Sequence, residues 1–157
     1  MTSRAVAILL TLVLAVVAAA CGSTSTSTGG PTGAPAGGPV TIKQIWVRAA
    51  PAGADTAAYF TIVNGKVADD ALVGVSSPAG TSASIHETKT DNSGMTGMSM
   101  VPQVKIPGGG TVTFEPGGYH VMIMGLTSEL KVVDRVELSL AFENAGIVKV
   151  SAEVRAS

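Results

Sequence analysis

Charge is scarce in this sequence. Only 13% of its 157 residues are Asp, Glu, Lys or Arg, the formal net charge is −1, and like charges never form a block. A DNA or RNA partner normally demands clustered Lys and Arg, so nucleic-acid binding is disfavoured. Cysteine is scarcer still. The single residue, Cys21, allows no intrachain disulfide and no Cys-x-x-Cys redox or zinc site. Aromatics make up 4% against 19 glycines, which favours short strands joined by tight turns. No stretch keeps a helical repeat for long, and no internal repeat is visible. Nor is there a nucleophile–base pair or paired carboxylate with supporting spacing, which makes an enzyme the least favoured class. What remains is a chain 46% hydrophobic, enough for a core, and of a length usual for one domain.

The N-terminus reads M-T-S-R, then A-V-A-I-L-L-T-L-V-L-A-V-V-A-A-A, then Cys21. Arg4, an apolar segment over residues 5–20 and a small-residue ending form the layout of a secretory signal peptide. The apolar segment falls short of the ~20 residues a spanning helix needs. The ending A-A-A-C-G-S resembles the bacterial lipoprotein box, with Ala18 where that box more often has leucine. Cleavage there leaves Cys21 first, with lipid on its sulfur, and several acyl chains on one residue anchor stably where one chain does not. That resemblance implies an exported protein held at the outer face of the bacterial cell membrane. Residues 22–39 contain no charge and no large apolar side chain, the composition of a flexible linker. Such a coil reaches about 25 Å, so a folded domain over residues 40–157 would stand off the membrane.

From Val40 the chain reads as short β-rich segments separated by turn residues. Strands are expected near 41–48, 56–63, 71–76, 83–89, 98–105, 111–115, 119–125, 135–142 and 146–155. Turn signals fall between them, among them N-G at 64–65, P-G-G-G at 107–110 and P-G-G at 116–118. Leu126 to Val133 is the one candidate for a short helix or turn. Strands at this spacing suggest an antiparallel β-sandwich.

Soft metal donors are crowded into one stretch. Both histidines, His86 and His120, lie between residues 86 and 124, with every methionine except the initiator: Met95, Met98, Met100, Met122 and Met124. On strand 119–125 alternation puts His120, Met122 and Met124 on one face and Val121 and Ile123 on the other, toward the core. Residues two apart on a strand are ~6.5–7 Å apart. His120 nitrogen and Met122 sulfur can therefore converge on one ion at about 2.0–2.3 Å from each. Met98 and Met100 repeat this i, i+2 arrangement on a second segment, and His86 is expected at a strand end on a third. Thioethers and imidazoles without a carboxylate select a soft ion, and Cu(I) fits best; calcium, magnesium and manganese want oxygen. Outside the cytoplasm thiolates tend to oxidise, whereas methionine keeps its sulfur available more readily. Met95, Met100 and Met124 are read as auxiliary donors, with packing or simple exposure as their alternative role.

At these residues the sequence resembles the PCuAC family of periplasmic copper chaperones. That family's motif is His, an optional Met, ten residues, Met, twenty-one residues, His, one residue, Met. Here His86, Glu87, residues 88–97, Met98, residues 99–119, His120, Val121 and Met122 keep the spacing throughout. The segments A-A-Y-F-T-I-V-N at 57–64, I-P-G-G-G at 106–110 and P-G-G-Y-H-V-M-I-M-G-L at 116–126 look like the family too, and the resemblance covers about residues 40 to 155. It implies a cupredoxin-like β-sandwich with Greek-key connections that binds Cu(I) through His86, Met98, His120 and Met122. It further implies delivery of copper to the CuA centre of cytochrome c oxidase, whose CuA-bearing subunit would be the protein partner. Glu87 replaces the optional methionine, removing a spare sulfur beside His86. Some relatives carry a His- and Met-rich C-terminal tail; this sequence ends at Ser157 without one, so a second, Cu(II)-type site is not expected.

Two other functions compete. An electron-transfer cupredoxin needs a cysteine thiolate on copper, and Cys21 lies outside the expected fold. Copper buffering or resistance without a dedicated recipient uses the same ligands, and the sequence does not separate it from delivery.

Overall fold

The computed structural model describes residues 39–156, so the expected signal peptide, Cys21 and all but the end of the linker lie outside the described residues. Ten strands follow in chain order: β1 Val40–Arg48, β2 Thr56–Asn64, β3 Asp70–Ser76, β4 Gly80–Thr90, β5 Thr96–Met100, β6 Val104–Ile106, β7 Thr111–Phe114, β8 Tyr119–Leu126, β9 Arg135–Phe142 and β10 Gly146–Arg155. There is no helix among the described residues. Of the segment Leu126 to Val133, Leu126 ends β8 and residues 127–133 form a bend, a turn and one bridge, from Leu130 to Ala50.

Alternation builds the core. In β9, Val136, Leu138, Leu140 and Phe142 are buried while Arg135 and Glu137 are exposed. The strands hydrogen-bond in the order β5-β4-β8-β7-β2-β1-β10-β9-β3-β6. This ladder folds over on itself as a sandwich. Phe60, Ile85, Phe114, Val121 and Ile123 from one half share a single cluster with Leu72, Ile106, Leu138 and Leu140 from the other. Phe60 and Phe114 stack at 4.5 Å inside it.

The architecture departs from the sequence expectation in two places. The sandwich is not wholly antiparallel: β1 runs parallel to β10, and β7 meets β8 in parallel at Phe114 and Tyr119. Turn signals report only neighbours in sequence, whereas β1 and β10, the first and last strands, pair in the middle of the ladder. The expected strand over 98–105 is two strands. Pro102 has no N–H to give a ladder, and the halves pair with different partners, β5 with β4 and β6 with β3.

A bulge in β1 re-aims one aromatic side chain. Gln44 adopts φ +54°, and the register with β2 shifts between Lys43 and Trp46. Before the bulge Ile42 opposes the core residue Ile62; after it Val47 opposes the core residue Ala58, and Trp46 is turned to the outer face opposite Tyr59.

Asn64 ends β2 fully buried. Its amide donates to the carbonyls of Ala68, Ile106 and Pro107, and its Oδ1 accepts from the Lys66 N–H. Asn64→Ala leaves those backbone groups unpaired, at about 1–3 kcal/mol for a buried polar group left alone. Urea unfolding of the variant should show a loss of at least that size with an unchanged m-value.

Candidate metal centre

Strand β4 lies between β5 and β8, and its register decides which side chains meet. His86 is opposite His120 on β8 and Met100 on β5; Ser84 is opposite Met122, Ser82 opposite Met124, and Thr88 opposite Met98. Directly opposed residues point to the same face. His86, Met98, Met100, His120, Met122 and Met124 therefore share the outer face, while Ile85, Val121 and Ile123 enter the core. The other residues of that parity on these strands are Gly80, Ser82, Ser84, Thr88, Thr90, Thr96 and Leu126, none of them charged. Glu87 and Lys89 fall on the opposite parity and pair with each other at 2.8 Å. Glu87, at the position of the optional methionine, thus points away from His86. His86 itself is mid-strand rather than at a strand end, because pairing of β4 with β8 already begins at Gly80.

His120 is the innermost donor, 5% exposed although it faces outward. Its Nδ1 is 3.1 Å from the Gly118 carbonyl. A carbonyl only accepts, so Nδ1 carries the proton and the Nε2 lone pair is free. That Nε2 lies 3.3 Å from Met98 Sδ. In the neutral ring two lone-pair atoms thus face each other without a hydrogen between them, an arrangement a cation satisfies. The His86 ring stands 5.8 Å from that of His120. Its Nε2 meets Ser84 Oγ at 2.9 Å, and its Nδ1 is buried with no hydrogen-bond partner. Met98, His120 and Met122 also line an open cleft of about 260 Å³ with Arg48, Asp55 and Tyr59; His86 is not part of that lining and adjoins His120 from β4.

The auxiliary methionines separate. Met100 is on the site face, opposite His86, and 70% exposed. Met124 is on the same face, two residues beyond Met122 along β8. Met95 faces Asp91 across the β4–β5 turn, on the opposite parity, with its N–H held by the Asp91 carboxylate. Among the described residues no three His, Cys, Asp or Glu side chains converge, so the donors gathered here are imidazole and thioether.

Several contributors had no role assigned from sequence. Tyr59 packs against His120 at 6.4 Å and, tilted by 36°, against Trp46 at 4.6 Å, and its phenol accepts from Arg48 at 3.0 Å. Ala57 opposes Met122 and leaves room for it. The signal was present in β2, where Ala57 and Tyr59 interleave with the core residues Ala58 and Phe60, so both faces of one strand are apolar.

A family profile described as "Putative lipoprotein LpqE-like" matches residues 40–154. The chain belongs to the LpqE-like family. A curated relative, "Putative lipoprotein Lxx21020" of Leifsonia xyli subsp. xyli, is 33% identical to this LpqE-like chain over 116 residues, 74% of this chain and 69% of that protein. Similar solved structures are PCuAC domains of cupredoxin-like β fold. The copper-bound PCuAC domain from PmoF2 is 29% identical with a TM-score of 0.64, over 76% of this chain and 95% of that one. The solution structure of CuI-DR1885 from Deinococcus radiodurans is 39% identical with a TM-score of 0.60, over 76% and 80%. The apo PCuAC domain from PmoF1 gives 28% and 0.65, over 76% and 96%.

In this LpqE-like protein the imidazole of His86 is held below its ordinary pKa of 6.5, first by burial and then by the like charge of His120. The neutral, metal-binding form is thereby favoured. Below pH 6.5 the unfolded chain protonates this group while the folded chain does not, so acidification through that range lowers stability until the folded value is passed. Denaturant unfolding of the metal-free protein at pH 7.5 and 5.0 should show a smaller acid-side loss for His86→Gln than for the parent. Equal losses would contradict the assignment.

Proposed function

We propose that this chain is an exported, lipid-anchored Cu(I) carrier, not an enzyme, that holds the ion through His86, Met98, His120 and Met122 and hands it on by ligand exchange. The observation that carries the reading is the 3.3 Å approach of His120 Nε2 to Met98 Sδ, with Met122 lining the same cleft and His86 beside it. The four side chains offer imidazole and thioether donors with no carboxylate among them, which suits a soft monovalent ion better than a hard divalent one. The copper described in the PmoF2 and DR1885 structures supports Cu(I) as cargo. The lipoprotein description of the family and of the Leifsonia relative supports anchoring at Cys21, with residues 1–21 as signal peptide, 22–39 as linker and 40–157 as the copper-binding domain. Delivery to the CuA centre of cytochrome c oxidase at the outer face of the cell membrane follows from the PCuAC likeness.

X-ray absorption on the Cu(I)-loaded protein should count two sulfur and two nitrogen neighbours. Replacing His120 and Met122 together should weaken Cu(I) binding by at least roughly 100-fold, the upper end of what losing even a supporting partner of a metal ligand costs. Competition against a Cu(I) chelator measures this, and an unchanged affinity would sink the site. In the parent, affinity should fall on acidification, since histidine must be neutral to bind.

The recipient is tested in cells. A strain lacking the gene should lose cytochrome c oxidase activity and regain it with added copper. Copper sensitivity alone would instead favour buffering.

A further inference from the structure

Met100 is the soft donor opposite His86 in register, outside the cleft that Met98, His120 and Met122 line and nearly uncovered. It is 70% exposed, against 54% for Met98 and 5% for His120. Its neighbour Val101 donates its N–H to the Ile85 carbonyl at 2.9 Å. Ile85 and Val101 are thus the hydrogen-bonded pair, and His86 opposite Met100 is the adjacent non-hydrogen-bonded pair, the kind whose side chains approach most closely. Met100, His86 and His120 therefore form one row across three strands. The row ends at β5, the outermost strand of this half, all of whose residues are exposed. A buried donor cannot be the first atom that an incoming copper acceptor meets. The sulfurs of β5 can.

We propose that Met100 is a hand-over ligand: absent from the resting four-donor set, it takes Cu(I) as Met98 releases it and presents the ion at the β5 edge. The inference rests on the Cu(I) reading above. In the exchange a bond from copper to Met100 Sδ forms and the bond to Met98 Sδ breaks. Both thioethers are neutral and copper stays Cu(I), so no proton and no electron moves. Unlike thiolate or imidazole exchange, the step has no protonation requirement, and Cu(I), with a filled d shell, passes between three and four donors without a ligand-field penalty. Met124, deeper along the same face, and Met95, on the opposite parity, lack this position.

The test compares Met100→Leu with Met98→Leu in the Cu(I)-loaded protein, using bathocuproine disulfonate as acceptor. Leucine is close to isosteric with methionine and the site is exposed, so the fold is retained. Met100→Leu should leave the equilibrium Cu(I) affinity within about twofold, the tolerance expected of so conservative a swap. It should slow copper transfer in both directions roughly tenfold, as a rise in barrier alone requires. Met98→Leu should instead weaken the affinity itself. A transfer rate unchanged in Met100→Leu overturns the inference and leaves the four-donor site standing. A loss of affinity matching that of Met98→Leu overturns it too, since Met100 would then be a resident ligand. If Met98→Leu also leaves affinity intact, the Cu(I) site itself fails.

Discussion

Everything at this centre depends on the register of β4 between β5 and β8. Side chains on a strand alternate, so a slip of one residue would send His86 into the core and bring Ile85 out. The core prevents that slip: Ile85, Val121 and Ile123, the alternate residues of the same strands, are 4%, 0% and 0% exposed. Backbone bonds at both ends of the segment, Thr88 to Gly118 and Val101 to Ile85, hold the same alignment. At the far end β8 turns away through Gly125 at φ +58°, where a Cβ would come within 2.7 Å of Thr81 Oγ1. The candidate donors are thus aligned by hydrophobic burial on the reverse side of the same strands.

A second constraint comes from β1. The bulge at Gln44 turns Trp46 onto Tyr59, and Tyr59 in turn packs against the outward-facing His120. Burial leaves His120 only 5% exposed, while Gly118 fixes the tautomer from the backbone. The β5 side is different. Met98 and Met100 are open to solvent, which would suit the proposed cargo ion leaving and also leaves these sulfurs open to sulfoxidation. The centre therefore has a rigid, covered side and an exposed, exchangeable one.

Much of this was legible in the sequence, for local reasons. Period-two alternation placed Val121 and Ile123 inward and His120, Met122 and Met124 outward, and the Gly, Pro and Asn turns separated most strands correctly. Pro102 was the overlooked signal that 98–105 is two strands. The parallel pairing of β1 with β10, the position of His86 within β4, and the covering role of Tyr59 were not legible, since each depends on strands far apart in the chain.

Composition, spacing and alternation by themselves determined an all-β domain with its soft donors gathered on few segments. Those properties are local, written in residue type and parity. Only the tertiary structure decided which donors meet: Met98 reaches His120 across β4, Met100 faces His86 at the open edge, and Met95 turns away. Cross-strand register fixes those neighbours, and register is set by the collective burial of residues that never touch the site.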